Sequence, residues 1–167
     1  MEDFSQTPII SDTDAQQKAE EIIRSAQQHT DRKNTLKSIM ALIDLTTLEG
    51  ADTDEKVEAM CQKGLGIEKL GLGLPNVAAV CVYPTLVRTA RRALEGSNLK
   101  VAAVAGAFPA GQSPLRIKLD EVRYAVEEGA EEIDMVISRG KFLQGEYNIV
   151  FDEIAAIKEA CGPAHLR

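Results

Sequence analysis

The chain has 167 residues, 44% of them hydrophobic and 27% charged, the length and composition of about one globular domain with a real core. Its net charge of -7, from 19 basic and 26 acidic residues, speaks against a nucleic-acid or anionic-membrane partner, because phosphate binding needs clustered Lys and Arg. No apolar run approaches the ~20 residues of a membrane span, and Met1-Glu2-Asp3-Phe4 lacks the basic-then-apolar order of a signal peptide, so a cytoplasmic protein is expected.

Residues 1 to about 10 read as a polar tail, and Asp12 to Thr30 as a helix with Ala19, Ile22, Ile23 and Ala26 at helical spacing. The run from about 38 to 48, containing Ile39-Met40-Ala41-Leu42-Ile43-Asp44-Leu45, predicts a first strand. Asp52-Thr53-Asp54-Glu55 resembles a capping box with Asp52 as the cap, opening a helix that carries Val57, Met60 and Cys61 on one face. A glycine-rich stretch, 64–73, leads to a second strand over Val77–Val82. Pro84 suits the first turn of the next helix, with Leu86, Ala90 and Ala93 inward.

Val101–Ala105 is a third strand, ending in Gly106-Ala107-Phe108-Pro109-Ala110-Gly111. Ser113 as cap and Pro114 in the first turn predict a helix through Leu115, Leu119, Val122 and Val126, stopped by Gly129. Glu132–Ile137 reads as the fourth strand, followed by a helix from about Tyr147 to Cys161 through Val150, Ile154 and Ile157. A helix followed by four strand–helix units implies a parallel sheet. An open doubly wound sheet and part of a (β/α)8 barrel both fit, and no G-x-G-x-x-G follows the first strand to favour a dinucleotide.

Cys61, Cys81 and Cys161 are far apart and form no C-x-x-C, so free thiols are expected. His29 and His165 are the only histidines, which leaves a histidine-rich metal site unsupported. The candidates for chemistry are two aspartates that interrupt apolar runs near their C-terminal ends, Asp44 and Asp134. An ionised carboxylate in such a run costs several kcal/mol or more unless a partner compensates it. One such aspartate is as readily a helix cap or the partner of an arginine. Two at matching strand ends favour acid/base work. Cys81 reads as a small buried hydrophobe, since no local base accompanies it. Thr46 and Thr47 either donate to a substrate or close the turn, and Phe108-Pro109 either shapes a pocket wall or is a plain turn.

Several segments then carry a resemblance. Ile43-Asp44-Leu45-Thr46-Thr47-Leu48, the run Asn76–Pro84, Ala107-Phe108-Pro109-Ala110-Gly111 and the run Glu131–Ile137 resemble the deoxyribose-phosphate aldolases, and Lys158–Leu166 extends the match. The resemblance covers roughly residues 36–167 in order and is closest to the longer, animal-type branch. It implies the first half of a (β/α)8 TIM barrel: four βα units over 36–167, preceded by an N-terminal tail and helix over 1–35.

The implied chemistry is the reversible cleavage of 2-deoxyribose 5-phosphate to glyceraldehyde 3-phosphate and acetaldehyde, a step of deoxyribose catabolism. It runs through a lysine Schiff base, without metal or other cofactor. By resemblance Asp134 belongs to the proton relay beside that lysine, while Asp44, Thr46, Leu48 and Cys81 line the substrate pocket.

In the family the Schiff-base lysine stands on strand six, and a second lysine on strand seven precedes the glycines that bind phosphate. Neither segment is found before His165-Leu166-Arg167, where strand five should begin. Lys37 and Lys100 precede strands and so sit at the wrong end, and Lys141 follows strand four in a loop. The expectation is a half-barrel, inactive alone, that self-associates through its open edges. The alternatives are a non-catalytic truncated product that binds a ligand or partner, and another α/β enzyme with an open sheet.

Overall fold

Five strands, β1 (Asp44–Thr46), β2 (Ala79–Val82), β3 (Lys100–Ala105), β4 (Glu132–Met135) and β5 (His165–Leu166), form one sheet in the computed structural model, whose described residues are 3–27 and 31–167. All pairs are parallel, and the spatial order equals the chain order. A doubly wound sheet reverses its order at a switch point. Strictly sequential winding is that of a barrel.

The helices are α1 (Asp12–Gln27), α2 (Arg32–Met40), α3 (Asp54–Lys69), α4 (Val87–Ala93), α5 (Leu115–Glu127), α6 (Arg139–Leu143) and α7 (Tyr147–Ala160). Alternation along the strands divides the sheet into two faces. Val80, Val82, Val101, Ala103 and Ile133 share a buried cluster with Val57 and Cys61 of α3, Ala90 of α4, Val122 of α5 and Ile157 of α7. The opposite face carries a separate cluster of small side chains, Ala79, Cys81, Ala102 and Val104, with Leu48 and Tyr83 against it. One face is thus layered by helices and the other is concave and thinly covered, which makes this the first half of a (β/α)8 barrel. Crossing to a parallel neighbour requires a connection of a dozen or more residues, and each βα unit meets that need.

Several local readings change. The predicted strand from 38 shortens to Asp44–Thr46, because Asp31 caps α2 by accepting the Asn34 amide at 3.1 Å. A short apolar run does not distinguish strand from helix by itself, and here Ile39 and Leu42 are 50% and 80% exposed. Asp44 therefore opens β1 instead of standing near the end of a strand, whereas Asp134 is next to last in β4. The predicted helix over 12–30 is described as far as Gln27, and its last residues, with His29, lie outside the described residues. The division at 35/36 falls within α2.

Thr53, not Asp52, caps α3 by accepting the Lys56 amide at 3.3 Å. Asp52 instead closes the β1–α3 turn, taking the Thr47 hydroxyl at 2.8 Å and the Glu49 amide at 2.9 Å. Pro114 occupies the cap position of α5, so Ser113 does not cap it. The inward face of that helix is Lys118, Val122 and Ala125, with Leu115 41% exposed. Val122 is buried and Leu119 and Val126 pack against the core as their spacing predicts, and the fully buried Lys118 widens that face. Glu153 likewise takes the inward place on α7, and Ile154 is 39% exposed. Finally, β5 pairs with β4, so β4 is not an edge.

Candidate functional site

Laid flat, β1 and β5 would stand roughly 19 Å apart across four inter-strand steps of about 4.8 Å. Yet Arg167, just after β5, donates through Nη2 to Asp44 Oδ2 on β1 at 2.5 Å. The sheet is rolled until its first and fifth strands face one another, as strands one and five do across the axis of an eight-stranded barrel.

Register puts the site on the concave face. Asp44 pairs with Ala79, Thr46 with Cys81, Cys81 with Ala102, and Asp134 with Val104. In-register residues of parallel strands point to the same side, so the two aspartates, Thr46 and Cys81 share the inner face. Leu48 packs against its apolar cluster. Thr46 is exposed, with its hydroxyl 3.5 Å from the Asp44 carbonyl. Thr47 is buried and belongs to the turn through Asp52.

Arg167 organises this face. Its Nε donates to Asp134 Oδ1 at 2.7 Å and its Nη2 to Asp134 Oδ2 at 2.9 Å, a forked contact that fixes the carboxylate plane. Nη1 lies 3.1 Å from Glu132 Oε2. Burial works against the guanidinium charge, but hydrogen bonds and attraction from Asp44 and Asp134 outweigh it and raise the Arg167 pKa. One oxygen of Asp44, Oδ1, is buried and has no hydrogen-bond partner. A sequence reading passes over Arg167 because its partners are 33 and 123 residues away. The only signal was period-two alternation from His165, which puts residue 167 on the inner face.

Cys81 is 3% exposed, and its Sγ lies 3.8 Å from Asp134 Oδ2. Burial first, then the negative charges of Asp134 and Asp44, push the thiol up to about 12. It is a wall of the site and not a nucleophile at neutral pH.

Two loops form the rim at the C-terminal ends of β3 and β4. Gly106 and Gly111 both have positive φ, and a Cβ on either would stand 2.6 Å from the Val136 oxygen or 2.5 Å from the Ile137 oxygen, respectively. Only glycine permits this contact between loop and turn. Phe108 sets its ring against Tyr83, with centroids 6.3 Å apart, so the loop does form a wall beside the inner face.

The candidate lysines lie elsewhere. Lys100 pairs with Glu131 at 3.0 Å at the start of β3, Lys141 pairs with Glu146 at 3.0 Å on the surface, and Lys37 is on α2. Among the described residues, no group of three or more His, Cys, Asp and Glu side chains is placed to hold a metal ion, and no helix is long and apolar enough to cross a membrane.

Comparison with known proteins agrees with this geometry. Residues 38–167 match the DeoC/LacD family aldolase. The chain is 40% identical to the deoxyribose-phosphate aldolases of Homo sapiens and Mus musculus, in alignments that cover 87% of this chain and 52% of each relative. It superposes on the deoxyribose phosphate aldolase of Aeropyrum pernix, described as tetrameric, with a TM-score of 0.64 at 26% identity, over 84% of this chain and 55% of that one. The chain spans about half the length of the curated relatives it matches.

Proposed function

This chain belongs to the DeoC/LacD aldolase family, and we propose that it forms the N-terminal half of a Schiff-base aldolase site for 2-deoxyribose 5-phosphate. One observation carries the reading: Asp44 from β1 and Asp134 from β4 converge on Arg167 inside a rolled, sequentially wound sheet. Functional carboxylates in such barrels project from strands into a common interior.

In this reading Asp134 moves the proton that carbon–carbon cleavage requires. An amine adds to the sugar carbonyl and water leaves, giving the Schiff base. A base removes the proton of the hydroxyl on the second carbon from the iminium carbon, the bond between that carbon and the intervening one breaks to release glyceraldehyde 3-phosphate, and the electron pair is held by the iminium as an enamine. Protonation and hydrolysis of the enamine then release acetaldehyde and restore the amine. Asp44, Thr46, Leu48 and Cys81 line the sugar pocket. The body of this half-site is 36–167, with 1–35 as an appended tail and helix.

The amine and the phosphate-binding groups are assigned to the other half of the barrel, so this chain alone is inactive. Its partners are the sugar phosphate and the barrel's complementary half or, failing that, a second copy of itself; a cytoplasmic setting suits the free thiols and the phosphorylated substrate.

Two experiments test the proposal. Borohydride reduction with acetaldehyde leaves the mass of the chain unchanged, and a reduced adduct on an internal lysine overturns the assignment of the amine elsewhere. Mixing the chain with the C-terminal half of the human aldolase restores acetaldehyde release, and Asp134→Asn abolishes it. A co-eluting complex of the two halves with no turnover sinks the aldolase reading.

A further inference from the structure

Helix α5 sends two charged side chains, one turn apart, to two different loops of the rim. Glu121 accepts the amide of Ala107 at 2.9 Å, at a non-glycine residue held at a φ of 62°. Lys118 is fully buried and donates to Ser138 Oγ at 2.9 Å and to Glu153 Oε1 of α7 at 2.6 Å. Glu153 in turn accepts the Ser138 amide at 2.8 Å and its hydroxyl at 2.8 Å. Burial opposes the Glu153 charge, but the bonds from Lys118 and Ser138 prevail and lower its pKa.

A buried ion pair is a poor source of stability, because well-packed apolar replacements are often neutral or better. What a fully satisfied buried network supplies is a unique geometry. Ser138 lies four residues beyond Asp134, and the backbone between them, at Val136 and Ile137, touches the Gly106–Gly111 loop with no room for a Cβ. Arg139 adds a bond from Nη2 to the Pro109 carbonyl at 3.0 Å. Any change in the turn after β4 therefore reaches both the β3 loop and the strand that carries Asp134.

We propose that Lys118, Ser138 and Glu153 form a positioning latch that locks the turn after β4 against the β3 loop and so fixes how Asp134 meets Arg167 and a substrate. The inference rests on the reading of Asp134 as a site carboxylate, but its test reads geometry, not turnover.

In the double variant Lys118→Met, Glu153→Leu the thermal midpoint is kept or raised. The amides of Ala107 and Gly111, whose own acceptors are untouched, exchange at least about tenfold faster, and the Arg167 Nε resonance moves away from its Asp134-bound position. Unchanged exchange and an unchanged Arg167 signal overturn the latch. A fall in midpoint with no change at Arg167 also overturns it, since the network is then only structural. If the double variant does not fold, Glu153→Gln decides by the same two signals. Latch signals that move as expected, alongside a complemented Asp134→Asn that keeps its activity, leave the latch standing and remove the acid/base reading.

Discussion

Cys81 and Asp134 meet across an intervening strand. The sulfur on β2 is 3.8 Å from a carboxylate oxygen on β4, because β3 presents only Ala102 and Val104 between them and the sheet is rolled inward. The contact sets a carboxylate beside a neutral thiol on the inner face.

The thiols are therefore inert in the folded chain. Burial pushes Cys61 up to about 11 and Cys81 up to about 12, and also raises Cys161. Alkylation at pH 8 is at least about a hundredfold slower than after unfolding, as expected for buried, protonated sulfur. Mass spectrometry before and after denaturant checks this. A thiol with a raised folded pKa holds its proton longer when folded than unfolded. Stability is thus complete below the ordinary value of 9.0 and falls as pH rises through 11 and 12.

Arg167→Met removes the cation that bridges Asp44, Glu132 and Asp134. Part of this cluster meets solvent, so the expected loss is about 1–3 kcal/mol, below that of a fully buried pair. Urea unfolding at neutral pH measures it, and raising the salt concentration shrinks the deficit by screening the remaining carboxylates. A variant as stable as the parent in low salt contradicts the bridging role.

Gly106→Ala strains the backbone at a φ of 82° and drives a Cβ to 2.6 Å from the Val136 oxygen. The expected cost is about 2 kcal/mol or more. Gly50→Ala is the control, since nothing lies within 4 Å of its added Cβ, and it stays within about 0.5 kcal/mol of the parent. Denaturant midpoints of the two variants give the comparison.

Among the described residues, both β1 and β5 are edges, each with one neighbour. In the segment that leads into β1, Leu36, Ile39, Leu42 and Ile43 are 52%, 50%, 80% and 45% exposed. Unpaired strand edges next to apolar surface recruit further chain. Light scattering over a range of concentrations shows mass rising with concentration, and Leu42→Lys reduces the effect. A compact monomer at every concentration argues against association through this edge.

The positions of β2, β3 and β4 and of α3, α4, α5 and α7 were legible in the chain because these strands are short runs set off by glycine, proline or a capping residue, whereas α2 and the five-residue α6 were not read. The first strand begins later than the apolar run suggests, because Ile39 and Met40 end α2 and Ala41 and Leu42 form the turn after it. The inward face of α5 was legible at Leu119, Val122 and Val126 but not at Lys118. A lysine is assigned to solvent by default, and only the partners on α7 and the turn after β4 make a buried Lys118 affordable.

Asp44, Thr46, Leu48, Cys81 and Asp134 could be singled out from sequence, since a carboxylate in an apolar strand and a motif around it are local facts. That Asp44, Thr46, Cys81 and Asp134 share one face follows from the register of three parallel pairs, which no single strand encodes. The closing of that face by Arg167 depends on the curvature of the whole sheet, a sum of small twists between neighbours. Sequence by itself left two windings of the sheet open, and determined the strand–helix alternation and the acidic residues of the site. Tertiary structure decided which cation they meet, because a contact between residues 123 positions apart exists only once the strands between them have rolled.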